Sequence, residues 1–362
     1  MAGKTGALVH MGMTPEFWRG KSVLVTGHTG FKGGWLSLWL QQLGAHVHGY
    51  SLAAATQPSL FVEARVCEGL THVEGDIRDL PLLRACMTSA QPEIIFHLAA
   101  QALVRQSYLD PIETMTSNVV GAMNILEAVR STPSVKAVVM ITSDKCYENR
   151  EWHWPYRENE ALGGRDPYSA SKACAEIVTA SWRDSFLARQ AVSVASARAG
   201  NVIGGGDWAA DRLIPDALCA WESGLPLEVR NPQAVRPWQH VLEALAGYLL
   251  LAENLYRGKS AEAWNFGPSD ADMRPVGALL DGLAGLWGDG ATWQASAQQH
   301  PHEAGLLRLD SSKARTLLGW RTKLTIDQAL EQVIRWHRGW MAGEDMRAFT
   351  LNQIEQYMAL SQ

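Results

Sequence analysis

Thr26-Gly27-His28-Thr29-Gly30-Phe31-Lys32-Gly33 decides the fold class. Before it, Ser22–Thr26 (SVLVT) is a short apolar run that reads as a buried parallel strand. After it, Phe31, Trp35, Leu36, Trp39, Leu40 and Leu43 recur at helical spacing, with Gly44 as a C-terminal stop. A GxxGxxG turn between strand and helix is where a doubly wound fold needs glycines. One turns the chain tightly, one lets a pyrophosphate approach the backbone, and one lets helix pack on strand. The helix start then offers free N–H groups to phosphate. Alone, the run is equally a glycine-rich turn with no ligand.

Working outward, Ala45–Leu52, Leu70–Asp76, Glu93–His97, Val135–Ser143 and Val192–Arg198 read as further strands. Arg78–Ser89, Tyr108–Ser131 and Tyr168–Ala188 read as helices. Strands alternating with helices imply parallel pairing through right-handed crossovers. The expected class is α/β: a Rossmann doubly wound parallel sheet with a smaller C-terminal substrate-binding region. After Ala199 the texture changes, as Gly204-Gly205-Gly206, Pro215, Pro226, Pro232, Pro237 and Pro268 break the chain into short pieces. Residues 1–20 are expected as a tail and 21–199 as the dinucleotide-binding domain. Residues 200–362 are expected mainly as substrate region, with some segments returning to the first domain.

The chain has 362 residues, net charge −5, 47% hydrophobic and 19% charged residues. That excludes collagen-like, disordered and disulfide-scaffold classes. The mild negative charge argues against a nucleic-acid grip, and no apolar run approaches the ~20 residues of a spanning helix. Five dispersed cysteines (Cys67, Cys86, Cys146, Cys174, Cys219) without a CxxC pair read as reduced thiols in a cytoplasm.

Context favours a ligand on the glycine turn. Asp76-Ile77 follows the third strand, where an acid can receive an adenine amino group. His97-Leu98-Ala99-Ala100-Gln101 follows the fourth, and its small residues leave room at the sheet edge. The candidate cofactor residues are Gly27, Thr29, Gly30, Phe31, Gly33, Asp76, Ile77, Leu98, Ala99, Ala100 and Gln101. Tyr50-Ser51-Leu52 stands where an NAD site usually carries an acid for the ribose, and no arginine follows for a 2′-phosphate. The second strand therefore does not choose between NAD and NADP, and cofactor binding is expected to be weakened by Ser51.

Tyr168 and Lys172 form YxxxK, four apart on one helix face. A lysine ammonium beside a phenol lowers its pKa and makes a base. Alone the spacing is common on helices, but Ser143 ends the preceding strand in the right order. With TGxxGFxG, HLAAQ, YSxSK and RxGNVIG, the chain resembles the extended short-chain dehydrogenase/reductase family over about Lys21 to Trp340. Ser143-Asp144-Lys145, Asn201–Pro215 and Arg236-Pro-Trp-Gln-His240 resemble the nucleotide-sugar 4,6-dehydratase branch. That resemblance implies NAD as cofactor, Tyr168 and Lys172 also touching it, CDP-glucose as substrate and a homodimer or higher homo-oligomer. Nothing in the residues themselves specifies cytosine.

The residues suit such chemistry. Losing water across C5–C6 needs C4 oxidised first, then a base at C5 and an acid at the 6-hydroxyl. Asp144 is the candidate acid and Lys145 the candidate base. Tyr168 takes the 4-hydroxyl proton, Ser143 hydrogen-bonds that oxygen, and Lys172 holds Tyr168 and the nicotinamide ribose. The resemblance places Asn201, Arg212 and Arg236 at the nucleotide diphosphate, where planar guanidinium groups suit phosphate. Trp208 and Trp238 are the tryptophans expected to touch ligand, while Trp35 and Trp39 suit a buried helix face. The pairs His46/His48 and His300/His302 lack acidic or cysteine partners at ligand spacing, so no metal is expected. The rival readings are an epimerase or reductase of the same family, or a non-catalytic dinucleotide sensor.

Overall fold

The computed structural model describes residues 13–288, 290–297 and 305–361. Three short apolar segments lie at its centre: β1 (Ser22–Thr26), β4 (Ile94–His97) and β5 (Ala137–Ile141). They are buried at nearly every position, as strands covered on both faces must be. With β2 (His46–Ser51), β3 (Leu70–Glu74), β6 (Ser193–Ala199) and β10 (Ala263–Phe266) they form a seven-stranded sheet, ordered β10-β6-β5-β4-β1-β2-β3. Every pairing in it is parallel. This is the doubly wound α/β class expected. Strand order reverses between β1 and β4, and ligands of such sheets bind outside the strand ends there.

Helices Phe31–Gln42, Val241–Tyr256 and Met346–Ala359 cover one face; Leu80–Ala90, Gly121–Val129 and Pro167–Trp182 cover the other. Trp35 and Trp39 are buried as expected, and the Trp35 indole donates to Gly205 O at 2.9 Å. The residues past 200 also build a smaller layer. It comprises β7 (Asn201–Ile203), β8 (Leu227–Val229), β9 (Val235–His240), β11 (Met273–Pro275), β12 (Trp293–Ala295) and their helices. Its own core gathers Trp221, Leu279, Leu283, Leu330 and Val333.

Three sequence expectations change. The helix expected over Tyr108–Ser131 is Val104–Leu109, then Pro111–Met115, a π-helical turn Thr116–Val120, and Gly121–Val129. Pro111 lacks the N–H to continue the first piece, and Asp110 caps the next through the Glu113 N–H at 2.9 Å. The seventh strand, β10, comes from residues read as broken chain. Residues 13–20, assigned to a tail, are docked: Trp18 is fully buried, and its indole and the Thr14 N–H donate to Glu253 at 3.0 and 2.9 Å.

Candidate active site

At the carboxyl ends of β1, β4 and β5 a cleft of about 1470 Å³ runs from the glycine turn to the smaller layer. Gly27, at φ +77°, lies so close under the β4 end that a Cβ there would stand 2.7 Å from Ala99 N. A Cβ on Gly33 would stand 2.1 Å from Gly27 O. The helix Phe31–Gln42 starts at Gly30 with no side-chain cap, so its first N–H groups face the cleft unclaimed by any side chain. Thr29, Phe31, Asp76, Ile77, Leu98, Ala99, Ala100 and Gln101 all line the same cleft. These residues fit a dinucleotide: bare backbone at the phosphates and small residues at the sheet edge.

The polar side chains of this half are already paired. Thr29 Oγ1 and Ser51 Oγ share a hydrogen bond of 2.8 Å, and Thr29 also donates to Leu52 O. Asp76 accepts from Arg78 Nε at 2.9 Å and from the Arg78 N–H at 2.8 Å, and Arg78 also meets Glu113. The Arg78 guanidinium holds the Asp76 carboxyl below the usual carboxylate range. Gln101 is fixed by Asn118 and Thr114.

Beyond it, Ser143 ends β5 and caps a short turn that carries Asp144 and Lys145. Ser143 Oγ donates to Asp144 Oδ1 at 2.9 Å and accepts the Lys145 N–H at 3.2 Å. Lys145 Nζ is 3.4 Å from the same oxygen. Asp144 is fully buried, and its Oδ2 has no hydrogen-bond partner. Tyr168 and Lys172 come from the helix Pro167–Trp182, started by Asp166 accepting the Ser169 N–H at 2.9 Å. Behind them the buried pair Glu176–Arg198, 2.8 Å apart, is bonded to Thr142 and Ser196, which fixes the end of β5.

The phenol departs from expectation. Burial pushes Tyr168 up to about 12; a hydrogen bond with Ser143 eases it, and the Asp144 charge adds to the rise. Lys172 does not depress it. Its ammonium lies 6.0 Å from the Tyr168 ring centroid and 3.4 Å from Ile141 O, and burial lowers it to about 8, with Glu176 opposing. Two groups taken out of water together both favour neutrality.

On the smaller layer's side, Asn201, Arg212, Arg236, Trp208 and Trp238 line the cleft with the catalytic candidates. Arg212 is held by Asp207 at 2.8 Å and lies close enough to Tyr168 to feel its charge. Arg236 is buried and donates to Val235 O at 3.1 Å. Asn201 Oδ1 and Trp238 Nε1 are buried with no hydrogen-bond partner. Trp208 also packs on Trp336 and Trp340.

Sequence reasoning missed Lys32, Tyr248 and the pair Arg105–Asp211. Lys32 leaves the first turn of the helix Phe31–Gln42 to donate to the buried Tyr248 hydroxyl at 3.3 Å. Burial, then the cations Lys172 and Arg212, push it down to about 7. A cation inside a glycine motif was the available signal; Tyr248 reads only as core. Arg105 and Asp211 meet at 2.8 Å. His46 is exposed and His48 half-buried on β2, while His300 and His302 lie outside the described residues.

Residues 23–267, more than half of the chain, match the NAD dependent epimerase/dehydratase family. The chain is 52% identical over 351 residues to a CDP-glucose 4,6-dehydratase of Salmonella typhimurium, covering 95% of this chain and 98% of that protein. Among solved structures, an epimerase of Methanothermobacter thermautotrophicus superposes with TM-score 0.80 at 23% identity, over 92% of this chain and 96% of that one. A dTDP-glucose 4,6-dehydratase of Bacillus anthracis, in complex with NAD, gives TM-score 0.74 at 19% identity, over 87% and 96%. At those identities the two structures speak for the fold alone. By the extent of the family match and of the Salmonella relationship, this chain belongs to the NAD dependent epimerase/dehydratase family.

Proposed function

We propose that this chain is an NAD-dependent hydro-lyase that converts CDP-glucose to CDP-4-keto-6-deoxyglucose and water. The observation that carries the reading is Asp144: a fully buried carboxylate beside Lys145 and Ser143, with one oxygen unpartnered in the cleft. Epimerisation at C4 needs neither an acid at O6 nor a base at C5, so this pair favours dehydration. A sensor needs none of Ser143, Tyr168 and Lys172.

When bound, NAD+ supplies the acceptor that oxidises C4 and returns the hydride to C6. Gly27, Gly30 and Gly33 leave the backbone open to its pyrophosphate, and Asp76, Ile77 and Leu98–Gln101 line its adenine and ribose path. Tyr168 and Ser143 hold the 4-hydroxyl and take its proton. Lys145, in its amine form, removes the C5 proton, and Asp144 protonates the departing 6-hydroxyl. Lys172 supports Tyr168 and the nicotinamide ribose. Arg212 and Arg236 suit the diphosphate, and the orphan Asn201 and Trp238 atoms await polar partners.

Exposed apolar residues support a homodimer: Leu109 and Ile112 beside Ile177, on helices that pack against one another. Sedimentation at micromolar concentration tests it, and a pure monomer removes it. The free thiols suit a reducing cytoplasm. No helix among the described residues is long and apolar enough to cross a membrane. The function itself is tested by incubating the protein with CDP-glucose and NAD+. A product absorbing in alkali as a 4-keto-6-deoxy sugar is expected; CDP-galactose alone would make it an epimerase.

A further inference from the structure

The proposed reaction leaves one proton to account for. Tyr168 gains a proton when C4 is oxidised, and Asp144 must own one when the 6-hydroxyl leaves. Yet at rest Asp144 has Lys145 Nζ at 3.4 Å and a serine hydroxyl donated to it at 2.9 Å, the surroundings of a carboxylate rather than of an acid. We infer that Tyr168, Ser143 and Asp144 form one proton relay, which carries the 4-hydroxyl proton to Asp144 for later delivery to the 6-hydroxyl. The inference rests on the dehydratase reading.

The geometry is directional. A serine hydroxyl has one proton and two lone pairs. The Ser143 proton is committed to Asp144 Oδ1, and its oxygen lies beside the Tyr168 phenol, its hydrogen-bond partner. The three side chains are 6%, 0% and 7% exposed, so water has little access to intercept the proton. Lys172 stands outside the chain, directed to Ile141 O. Burial of Tyr168 makes a free phenolate costly, and a relay never forms one. The phenol accepts the substrate proton as it passes its own to Ser143, which passes its own to Asp144.

The steps balance. The C4 hydrogen leaves with its electron pair to NAD+, and the O4 proton ends on Asp144 Oδ1. The C5 proton then moves to Lys145, the C6–O bond breaks, and the hydroxide leaves as water with the Asp144 proton. The hydride returns to C6 and Lys145 returns its proton to C5. Tyr168, Ser143, Asp144 and Lys145 end as they began. Asp144 thus becomes an acid only after C4 is oxidised, which ties water loss to oxidation.

The relay makes Asp144 necessary for the first step as well as the second. With NAD+-loaded protein mixed with CDP-glucose in stopped flow, Asp144→Asn should slow reduced-nicotinamide formation about 10²–10⁴-fold, the usual worth of a positioned proton acceptor. Calorimetric binding of CDP-glucose to that variant should stay within about threefold of the parent, the range of a hydrogen-bond change near 0.6 kcal/mol. Reduced nicotinamide appearing at the parent rate without water loss would overturn the relay and leave the dehydratase reading standing. A parent protein that yields no 4-keto-6-deoxy sugar would instead remove the reading itself. A second measurement does not depend on the Asn variant folding. In Lys145→Ala, stalled after oxidation, infrared difference spectra should show a protonated carboxyl rising in step with reduced nicotinamide. Its absence overturns the relay.

Discussion

The two halves of the cleft handle their buried polar atoms in opposite ways. On the glycine-turn side, Thr29 is bonded to Ser51, Asp76 to Arg78 and Gln101 to Asn118 before any ligand arrives. On the other side, Asp144 Oδ2, Asn201 Oδ1 and Trp238 Nε1 are buried without partners. A buried polar atom left unpaired costs about 1–3 kcal/mol. The first half is a finished cradle of backbone; the second is completed by its ligand. Rigid recognition of an unchanging cofactor and differential binding of a changing substrate ask for that division.

The largest effect expected from this contrast is at Gly33. In Gly33→Ala the new methyl meets Gly27 O, which is backbone and cannot move aside. NAD+ binding should vanish from calorimetry, and chemical unfolding should report a loss of about 1–3 kcal/mol. Normal binding would show that the cradle is not finished. Asn201→Leu probes the other half. The free protein should be no less stable in urea, while CDP-glucose affinity falls about tenfold and NAD+ affinity holds. Destabilisation of the free protein would mean that Asn201 is already satisfied.

A smaller, graded effect lies in acid. His28, on the glycine turn, is buried against His72 at 2.7 Å, and burial and His72 bring its imidazole from 6.5 down to about 4. The unfolded chain therefore takes the proton first as pH falls, so stability declines between pH 6.5 and 4. His97 and His240, lowered to about 3, act in the same sense. His28→Asn should reduce the slope of unfolding free energy against pH by up to about one proton. An unchanged slope would remove His28 from the acid response. The least effect expected is from Ser51→Asp, which supplies the ribose acid that β2 lacks. NAD+ should bind about three- to tenfold more tightly by calorimetry, the value of one added hydrogen bond to a charged group after desolvation.

The cradle was more legible in the sequence than the chemistry. Six strands of the sheet and the glycine turn announce themselves because parallel strands are continuous apolar runs with glycine at their ends. Pro111 inside the expected helix over Tyr108–Ser131 was visible, yet the surrounding apolar spacing outweighed it. β10 escaped because four residues among glycines and prolines carry no period; only pairing with β6 makes them a strand. Trp18 reads as tail because its partner, Glu253, is 235 residues away. At the site, motif order located Ser143, Asp144, Lys145, Tyr168 and Lys172 in one cleft. Spacing could not reveal that Tyr168 and Lys172 are both desolvated, so the lowered phenol pKa inferred from YxxxK gives way to a raised one.

The central claim is that one turnover oxidises C4, removes water across C5–C6 and reduces C6 within a single cleft. CDP-glucose carrying deuterium at C4 tests it directly. With catalytic protein and unlabelled NAD+, NMR of the product should find the deuterium at C6, transferred within the same sugar molecule. Deuterium retained at C4, or lost into free reduced nicotinamide, would contradict the account.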